Sequence, residues 1–327
     1  MSSLRRYVAV RSVQTLFMLV LVMTALFVLF RSMPGDFTSQ MATSGANEET
    51  LQAIRDQWHL DEPIYVQYYH YLANLAQGNL GESPVYRVDV WEFTKIRIFN
   101  TFILVAPAMT FTYLLGALIG TIAGSDRGSA FERFGTIPVI GVGSSPAFFT
   151  AIILVVVFAV WLDLFPTSGM LSSGSTEGLA WWEPYLTRDF AAHYVLPFAA
   201  VVCRYLFIPT LIMRNSVVEV MDKDFTEYYR LTGLPTRTRL RHIAKHASIP
   251  VITIYPVSLA RALGGLVLIE TVFNWPGIGF TLVEAVLARD YPTVQFVFFV
   301  VATFVILSNF VVDLVYGVID PRIRLET

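Results

Sequence analysis

The segment DFTEYYRLTGLPTRTRLRHIAKHASIP (residues 224–250) is a polar stretch between two long apolar runs. Apolar residues before Gly233 recur at helical spacing, and Pro235 cannot continue a helix. We expect Gly233 to end the first helix in the left-handed conformation, which a residue without a Cβ adopts at no steric cost. Thr236 is then placed to cap a second helix, which carries Ile243 on its apolar side. The segment therefore predicts two helices joined by a tight glycine turn.

The composition is typical of a membrane protein. Hydrophobic residues make up 55% of the 327 residues and charged residues only 15%, whereas a soluble domain is about a quarter charged. The mean hydropathy is +0.57. A helix needs roughly 20 apolar residues to cross a bilayer. We therefore predict an all-α membrane protein with six transmembrane helices, at residues 10–30, 101–123, 137–162, 195–213, 251–272 and 296–318.

The distribution of charge predicts the orientation of these helices. Basic residues collect near both termini and in the loop 214–250, whereas residues 32–100 are rich in acidic residues. Both termini are therefore expected in the cytoplasm. Residues 32–100 are expected to form a folded extracytoplasmic insert between the first and second helices. The formal charge of −2 gives no indication of a nucleic-acid partner, and the single cysteine, Cys203, excludes a disulfide within the chain.

The insert shows helical signals of its own. Asn47 can cap a helix whose first turn holds Glu48 and Glu49, and Gly78 is a plausible end for a second helix. Two interpretations stay open: a small cap that packs on the spans, or a docking surface at the external mouth of a pore.

Prolines mark bends and helix ends. Pro209 falls inside the fourth predicted span and should kink it. Pro107, Pro138, Pro146 and Pro197 are expected in or near helix starts, where a missing N–H donor matters least.

Several motifs along the chain resemble those of a known family. Segment 224–250 resembles the E-A-A-x-x-x-G loop of membrane subunits in ATP-driven importers. The chain as a whole resembles the B-type permease of the dipeptide/oligopeptide group of ABC importers, which implies a type I ABC importer-like fold. The other motifs are PGD (34–36), LDEPIYVQY (60–68), GNLGES (78–83), FPTSG (165–169), GGLVLIETVFNWPGIG (264–279), LARDYPTVQ (287–295) and DLVYGVIDPRIR (313–324).

This resemblance implies a function and a set of partners. The chain would be a permease subunit in the plasma (inner) membrane, forming a pathway for di- or oligopeptides with a second, C-type permease. Two ATPase subunits would hold the ATP and magnesium, and an extracytoplasmic binding protein would deliver substrate. This chain would hold no cofactor and would not itself be an enzyme. Because relatives also carry nickel, opines or oligosaccharides, the cargo stays open.

The predicted spans and the resemblance together lead us to expect the following division of the chain. Residues 1–31 form the N-terminal tail and first helix, 32–100 the insert, and 101–327 the importer-like core with five helices. Within that core, residues 214–250 form the loop that couples to the ATPase.

The coupling residues follow from the resemblance. Tyr228 and Tyr229 stand where the general motif commonly has alanines, so the fit to an ATPase cleft must differ in detail. Helical spacing also puts both tyrosines on the apolar face of the first helix. Periodicity alone leaves an alternative open, namely an amphipathic helix that lies on the lipid headgroups. The expected coupling residues are Glu227, Tyr228, Tyr229, Gly233, Ile243 and Pro250.

Other chemistry has weak support in the sequence. There is no G-x-x-x-x-G-K-[ST] motif, nor any Gly-Lys pair, so this chain lacks the usual phosphate-binding loop. His242 and His246 have the i, i+4 spacing of helical zinc ligands, but no third ligand is evident. We expect a hydrated basic helix face there and no metal site.

Charged residues at membrane depth are the remaining candidates, because burial there without a partner is costly. Arg204, Arg261 and Glu270 could line a translocation pathway, where an arginine could meet a peptide carboxylate. The alternative is an interhelical arginine–carboxylate pair that fixes packing. Glu270 and Asp313 are expected close enough to the helix ends to be hydrated.

Two functions outside the importer class remain possible at this point. A self-sufficient, ion-coupled secondary transporter or channel would require inverted halves and an acidic ion site at mid-membrane, and Glu270 keeps that alternative open. A membrane scaffold without transport is disfavoured by the kinkable spans and the buried arginines.

Overall fold

The computed structural model describes residues 2–32, 48–57, 59–174 and 180–319. These residues are mostly helical, and the chain forms two compact units, Met1–Phe99 with Thr281–Thr327, and Asn100–Phe280. The helices are α1 (Ser2–Arg31), α2 (Glu48–Gln57), α3 (Ile64–Ala76), α4 (Val90–Ser125), α5 (Ala130–Ser144), α6 (Ala147–Leu154), α7 (Arg188–Tyr205), α8 (Phe207–Met221), α9 (Asp224–Leu231), α10 (Thr236–Ala247), α11 (Ile249–Gly265), α12 (Val267–Phe273), α13 (Ile278–Leu287) and α14 (Tyr291–Ile319). Shorter elements are strands β1 (Glu82–Ser83) and β2 (Val88–Asp89), a π-helical continuation of α6 (Val155–Trp161) and a 3-10 helix (Glu183–Leu186).

The first unit is organised around α1 and α14, which pack along one another. The Tyr7 hydroxyl donates to the carbonyl oxygen of Asp313 at 2.9 Å, and Arg11 Nη1 lies 3.3 Å from the Asp313 carboxylate. Asp313 is therefore partly exposed and paired. Many apolar side chains of α1 face outward, among them Leu16 and Phe17 at 63% and 65% exposure, as expected of a helix that meets lipid.

Part of the predicted insert packs against this pair. The Phe27 ring of α1 contacts Tyr68 edge-on at 5.2 Å, and the Tyr68 and Thr24 hydroxyls lie 2.6 Å apart. The β1–β2 hairpin is tied to the start of α14, because the Ser83 hydroxyl donates to the Asp290 carboxylate. The described residues between 48 and 89 thus fold as small elements, and α4 begins at Val90, before the predicted start of the second span at residue 101. The bounds of the insert, 32–100, stay a prediction.

In the second unit, glycines let α4 approach α8 closely. Gly116, Gly120 and Gly124 share one face of α4, and a Cβ on Gly120 would lie 2.5 Å from the carbonyl oxygen of Thr210 and 2.7 Å from Met213 Cβ. Small residues at i, i+4 spacing are how membrane helices bring their backbones together. This glycine stripe positions α8, the helix that leads into the segment 224–250.

The predicted spans correspond to helices in different ways. Among the described residues, three helices are long and apolar enough to cross a membrane, Arg5–Arg31, Val90–Ser125 and Tyr291–Leu314, and up to six segments qualify if each of three bent pairs counts as one span. The pair Arg188–Tyr205 and Phe207–Met221 bends by 43°, so the kink predicted next to Pro209 is confirmed. The third span, predicted at 137–162, is broken by 110° before Ala147, and the fifth, predicted at 251–272, ends at Gly265 with α12 as a separate helix.

The proline expectation was right at one position and wrong at three. Pro146 precedes the first residue of α6. Pro107, Pro138 and Pro197 lie inside α4, α5 and α7, because these helices begin earlier than the apolar runs do. Polar first turns are invisible to a hydropathy window, which explains the error.

Candidate functional site

The segment 224–250 forms the predicted helix–turn–helix. Helix α9 ends at Leu231, and Gly233 has φ +71°. The Leu234 N–H donates to the Tyr229 carbonyl at 3.2 Å and the Thr232 N–H to the Tyr228 carbonyl at 3.0 Å. A left-handed glycine whose following residue, here Leu234, donates its N–H back to the last turn of the helix is a Schellman-type helix end. The glycine turn is therefore confirmed.

The cap of the second helix differs from the prediction. Pro235 occupies the capping position of α10 and Thr236 is its first helical residue, with no side-chain capping bond. A proline satisfies the geometry of a helix entrance with its fixed φ, but it offers no side-chain acceptor.

Aromatic and imidazole rings hold the two helices together. Tyr229 lies 5.5 Å from the His242 ring, and Phe225 lies 5.2 Å from the His246 ring. Beneath them Ile243 is fully buried in the hydrophobic core, and α10 packs on α8. We call α9, the Gly233 turn and α10 the coupling hairpin. One side of the hairpin packs against the rest of the second unit, and the other side is exposed.

The open side is the tip of the hairpin. Glu227 is exposed, Tyr228 is 64% exposed and Leu231 is 79% exposed. Because Tyr228 and Leu231 are three residues apart on α9, they lie on one face. An exposed tyrosine and leucine beside a carboxylate form a small amphipathic surface that another protein can cover.

The structure therefore separates the predicted coupling residues into two groups. Glu227, Tyr228 and Gly233 are accessible, whereas Tyr229 and Ile243 face inward. The placement of Tyr228 on the apolar, inward face was wrong, because α8 ends at Met221 and α9 begins anew at Asp224. That break at residues 222–223 rotates the helical register. Leu231 was missed, although its i+3 spacing from Tyr228 could have indicated it.

Pro250, the last of the predicted coupling residues, lies in the first turn of α11 and is exposed. Helix α11 bends by 51° from α10 after Ala247. The hairpin thus continues into α11 at one end and follows α8 at the other.

Glu270 was predicted as a pathway residue and occupies a closed site of its own. It is 0% exposed, so the expected hydration was wrong. Its carboxylate accepts the Thr101 hydroxyl at 2.6 Å and the Phe280 N–H at 2.8 Å. A Cβ on Gly277 would collide with the Glu270 carboxylate, which explains a glycine there.

The turn that encloses Glu270 is held from a second side. The Trp275 indole N–H donates to the Asn100 carbonyl at 3.1 Å, and the Asn100 side chain donates to the Pro276 carbonyl at 2.9 Å. Asn100 also accepts the Tyr185 hydroxyl at 2.6 Å, and burial raises the pKa of Tyr185, so this donor stays protonated. The E-T-V-F-N-W-P-G-I-G motif thus folds around its own glutamate.

The two arginines of the predicted pathway have different surroundings. Arg204 is partly buried, and its Nη1 donates to the Gly143 carbonyl near the end of α5 at 2.7 Å. The interaction joins helices, but its acceptor is a carbonyl and not the carboxylate that the packing interpretation expected. Arg261 is exposed on α11, as are Gly264 and Gly265 one turn further on. Whether any of Arg204, Arg261 and Glu270 lines a pathway stays a prediction.

Comparison with known proteins places the chain in a family. Residues 116–325 match the family model of the "Binding-protein-dependent transport system inner membrane component", and residues 4–85 match the model of its N-terminal part. The chain belongs to this permease family. Family membership makes this permease a multi-pass component of the inner membrane and of a transport complex with other subunits.

Curated relatives extend along nearly the whole permease. The "Di/tripeptide transport system permease protein DppB" of Pseudomonas aeruginosa (strain UCBPP-PA14) is 38% identical over 313 residues, 91% of this chain and 92% of the relative. The "Dipeptide transport system permease protein DppB" of Escherichia coli (strain K12) is 34% identical over 316 residues, 91% of this chain and 92% of the relative. The "Glutathione transport system permease protein GsiC" of Escherichia coli O6:H1 is 33% identical over 308 residues, 94% of each. These relatives are subunits of ABC transporters, and such permeases are not themselves enzymes.

Proposed function

We propose that this permease is the B-type membrane subunit of an ATP-driven importer for short peptides. It would form the translocation pathway with a second, C-type permease. Two ATPase subunits would bind from the cytoplasm, and an extracytoplasmic binding protein would deliver the cargo. The names of the relatives, which include di/tripeptide, dipeptide and glutathione permeases, support a peptide as the substrate class.

The observation that carries this proposal is the construction of the coupling hairpin. Its inner side is fixed by Ile243 and the Tyr229–His242 contact, while Tyr228 and Leu231 project outward. A rigid element with an exposed amphipathic tip can transmit a displacement from a partner into α8 and α11. ATP binding would draw the ATPase subunits and their hairpins together, and the membrane helices would exchange one access state for another.

The proposed arrangement in the membrane has six spans with both termini in the cytoplasm. In this arrangement the bent pairs α5–α6 and α7–α8 each cross once, and α11 with α12 forms the fifth span. The hairpin, including α10, lies on the cytoplasmic side with the basic residues of 214–250. The acidic segment 32–100 then faces outward. Arg261 and the small residues beside it would face the pathway or the second permease, where an exposed guanidinium can bind a peptide carboxylate.

The test compares two matched exposed leucines. Leu231 in the hairpin tip is 79% exposed, and Leu186 in the 3-10 helix before α7 is 78% exposed. Leu231→Asp should abolish co-purification of the ATPase subunits and ATP-dependent peptide uptake by the reconstituted importer. Leu186→Asp should keep the ATPase subunits bound, because Leu186 lies outside the hairpin. Neither change removes a buried contact, so both variants should fold.

Two results would refute the proposal. The first is equal retention of the ATPase subunits by both variants. The second is uptake that follows a proton or sodium gradient and ignores ATP, which would identify an ion-coupled transporter.

A further inference from the structure

We propose that the turn between α2 and α3 holds a binding site for a zinc-type divalent cation, formed by His59, Glu62 and His70. This cluster lies in the unit Met1–Phe99 with Thr281–Thr327, whereas the coupling hairpin belongs to the other unit. Each of the three residues offers one ligand atom, and these atoms lie within 4.8 Å of one another. The proposal does not depend on the transported cargo or on the importer mechanism.

The backbone at His59 is the first supporting observation. His59 has φ +52°, the left-handed region that glycine adopts freely and other residues only at some cost in energy. The His59 N–H donates to the Asp56 carbonyl at 3.2 Å and the Leu60 N–H to the Arg55 carbonyl at 2.9 Å, so His59 occupies the glycine position of a helix end. An imidazole at such a position suggests that its side chain is used.

The side chains converge from both sides of the turn. His59 Nδ1 lies 3.2 Å from a Glu62 carboxylate oxygen, and the His59 and His70 rings stack with centroids 3.8 Å apart and planes 13° apart. Glu62 precedes α3 and His70 lies two turns further along it. The turn itself is fixed, because the Gln67 amide donates to the carbonyls of Leu60 and Glu62 at 3.0 and 2.7 Å.

The donor set selects the class of cation. Two imidazoles and one carboxylate are a known zinc ligand set that leaves a position open for water, and the same donors suit copper and nickel. Calcium and magnesium prefer oxygen ligands alone. The site is open to ions from solvent, since the His59 and Glu62 side chains are 32% and 45% exposed.

Binding requires only side-chain movement. Ligand atoms in a tetrahedral zinc site lie about 3.3 Å apart, closer than in the cluster. Parallel stacked rings cannot both direct a lone pair at one ion, so the stack must open. Rotation of an imidazole about its terminal torsion is inexpensive, and the fixed turn keeps the three residues within reach. A bound ion would then tie the turn at residues 59–62 to α3.

The experiment measures zinc binding to the full-length permease in its purified complex, after removal of any histidine tag. Equilibrium dialysis against Zn²⁺ alone should give one zinc per permease chain, and Mg²⁺ should not compete. His70→Phe keeps a ring for stacking and removes the ligand. His59→Asn keeps a residue that tolerates positive φ, and Glu62→Gln removes the charge. Each change should weaken zinc binding by at least about 10-fold, the smallest effect expected even for an outer partner of a metal site.

The chain supplies its own control in the hairpin histidines. His242→Gln with His246→Gln should leave the zinc stoichiometry and affinity unchanged. Hydrogen exchange over residues 59–70 should slow on zinc addition in the wild type and in this control, but not in the three site variants. The proposal is overturned if the wild type binds no stoichiometric zinc. It is also overturned if the double variant of His242 and His246 loses zinc binding while the variants of the proposed site retain it. If His70→Phe fails to fold, the zinc affinities of His59→Asn and Glu62→Gln test the site instead.

Discussion

The glycine turn of the coupling hairpin permits a quantitative prediction. Gly233 has φ +71°, and a Cβ built on it would meet nothing within 4 Å. Steric collision with neighbouring atoms therefore contributes nothing to the effect of a substitution. Only the backbone conformation matters, so a series of substitutions at this position isolates the energy of the left-handed turn.

The expected magnitudes follow from backbone preferences. Gly233→Ala should destabilise the turn by about 1–2 kcal/mol, the general cost of the left-handed conformation. Gly233→Asn should cost less, because asparagine tolerates this region, and Gly233→Val more, because it is β-branched. A loss of 1–2 kcal/mol changes the ratio of formed to unformed hairpin about 5- to 30-fold.

Two measurements on the same samples test this series. Hydrogen exchange across residues 225–247 reports the stability of the hairpin, and ATP-dependent peptide uptake by the reconstituted complex reports coupling. Both should decline in the order Gly, Asn, Ala, Val. Gly174→Ala is the matched control, since Gly174 has φ +82° and equally open space but lies outside the hairpin, so uptake should remain near wild type.

The role of Gly233 in the turn is refuted if hydrogen exchange and peptide uptake respond differently to the substitutions. If Asn and Ala abolish uptake equally while hairpin protection is unchanged, Gly233 is needed for contact with a partner and not for the turn. A fully active Gly233→Val would show that the turn carries no mechanical load.

Three further predictions concern the stability of the second unit, each measured as the free energy of unfolding in mixed micelles. Gly120→Ala should destabilise by about 1–3 kcal/mol through overpacking, whereas Gly141→Ala, with nothing within 4 Å of its Cβ, should be neutral or stabilising by about 0.5–1 kcal/mol. Ile243→Ala removes a fully buried side chain and should cost about 2–5 kcal/mol, with faster hydrogen exchange in the hairpin. Glu270→Ala would leave two backbone N–H groups of the following turn unsatisfied, which at about 1–3 kcal/mol each amounts to about 2–6 kcal/mol. A neutral Glu270→Ala would contradict the structural role of this carboxylate.

Local signals predicted the coupling hairpin well. Gly233 followed by Pro235 determines a helix end and a restart from backbone chemistry alone, and Pro209 likewise determines a bend. Both features depend on a few neighbouring residues, so a single sequence is sufficient to find them. The inward or outward orientation of Tyr228 was not predictable in this way, because it depends on the short break between α8 and α9.

Features that depend on distant residues were harder to predict. An unbroken apolar run has the same hydropathy pattern whether it forms one straight helix or two helices bent by 110° near Pro146. Glu270 resembled a functional charge at membrane depth, because its partners Thr101 and Phe280 are separated from it in sequence and one of them is a backbone N–H. The cluster of His59, Glu62 and His70 was also missed, since its spacing matches no helical ligand pattern.

The surroundings of Glu270 bear on how this permease is energised. Within the described part of the unit Asn100–Phe280, Glu270 is the one buried acidic residue. A proton-coupled carrier uses such an acid to bind and release a proton in every cycle. Here the carboxylate already accepts the Thr101 hydroxyl and backbone N–H groups of its own turn, and withdrawing it would leave these buried donors unsatisfied. A carboxylate held in this way stabilises a turn and is poorly suited to exchange ions. We therefore expect the driving energy to enter at the exposed tip of the coupling hairpin, through contact with an ATP-hydrolysing partner.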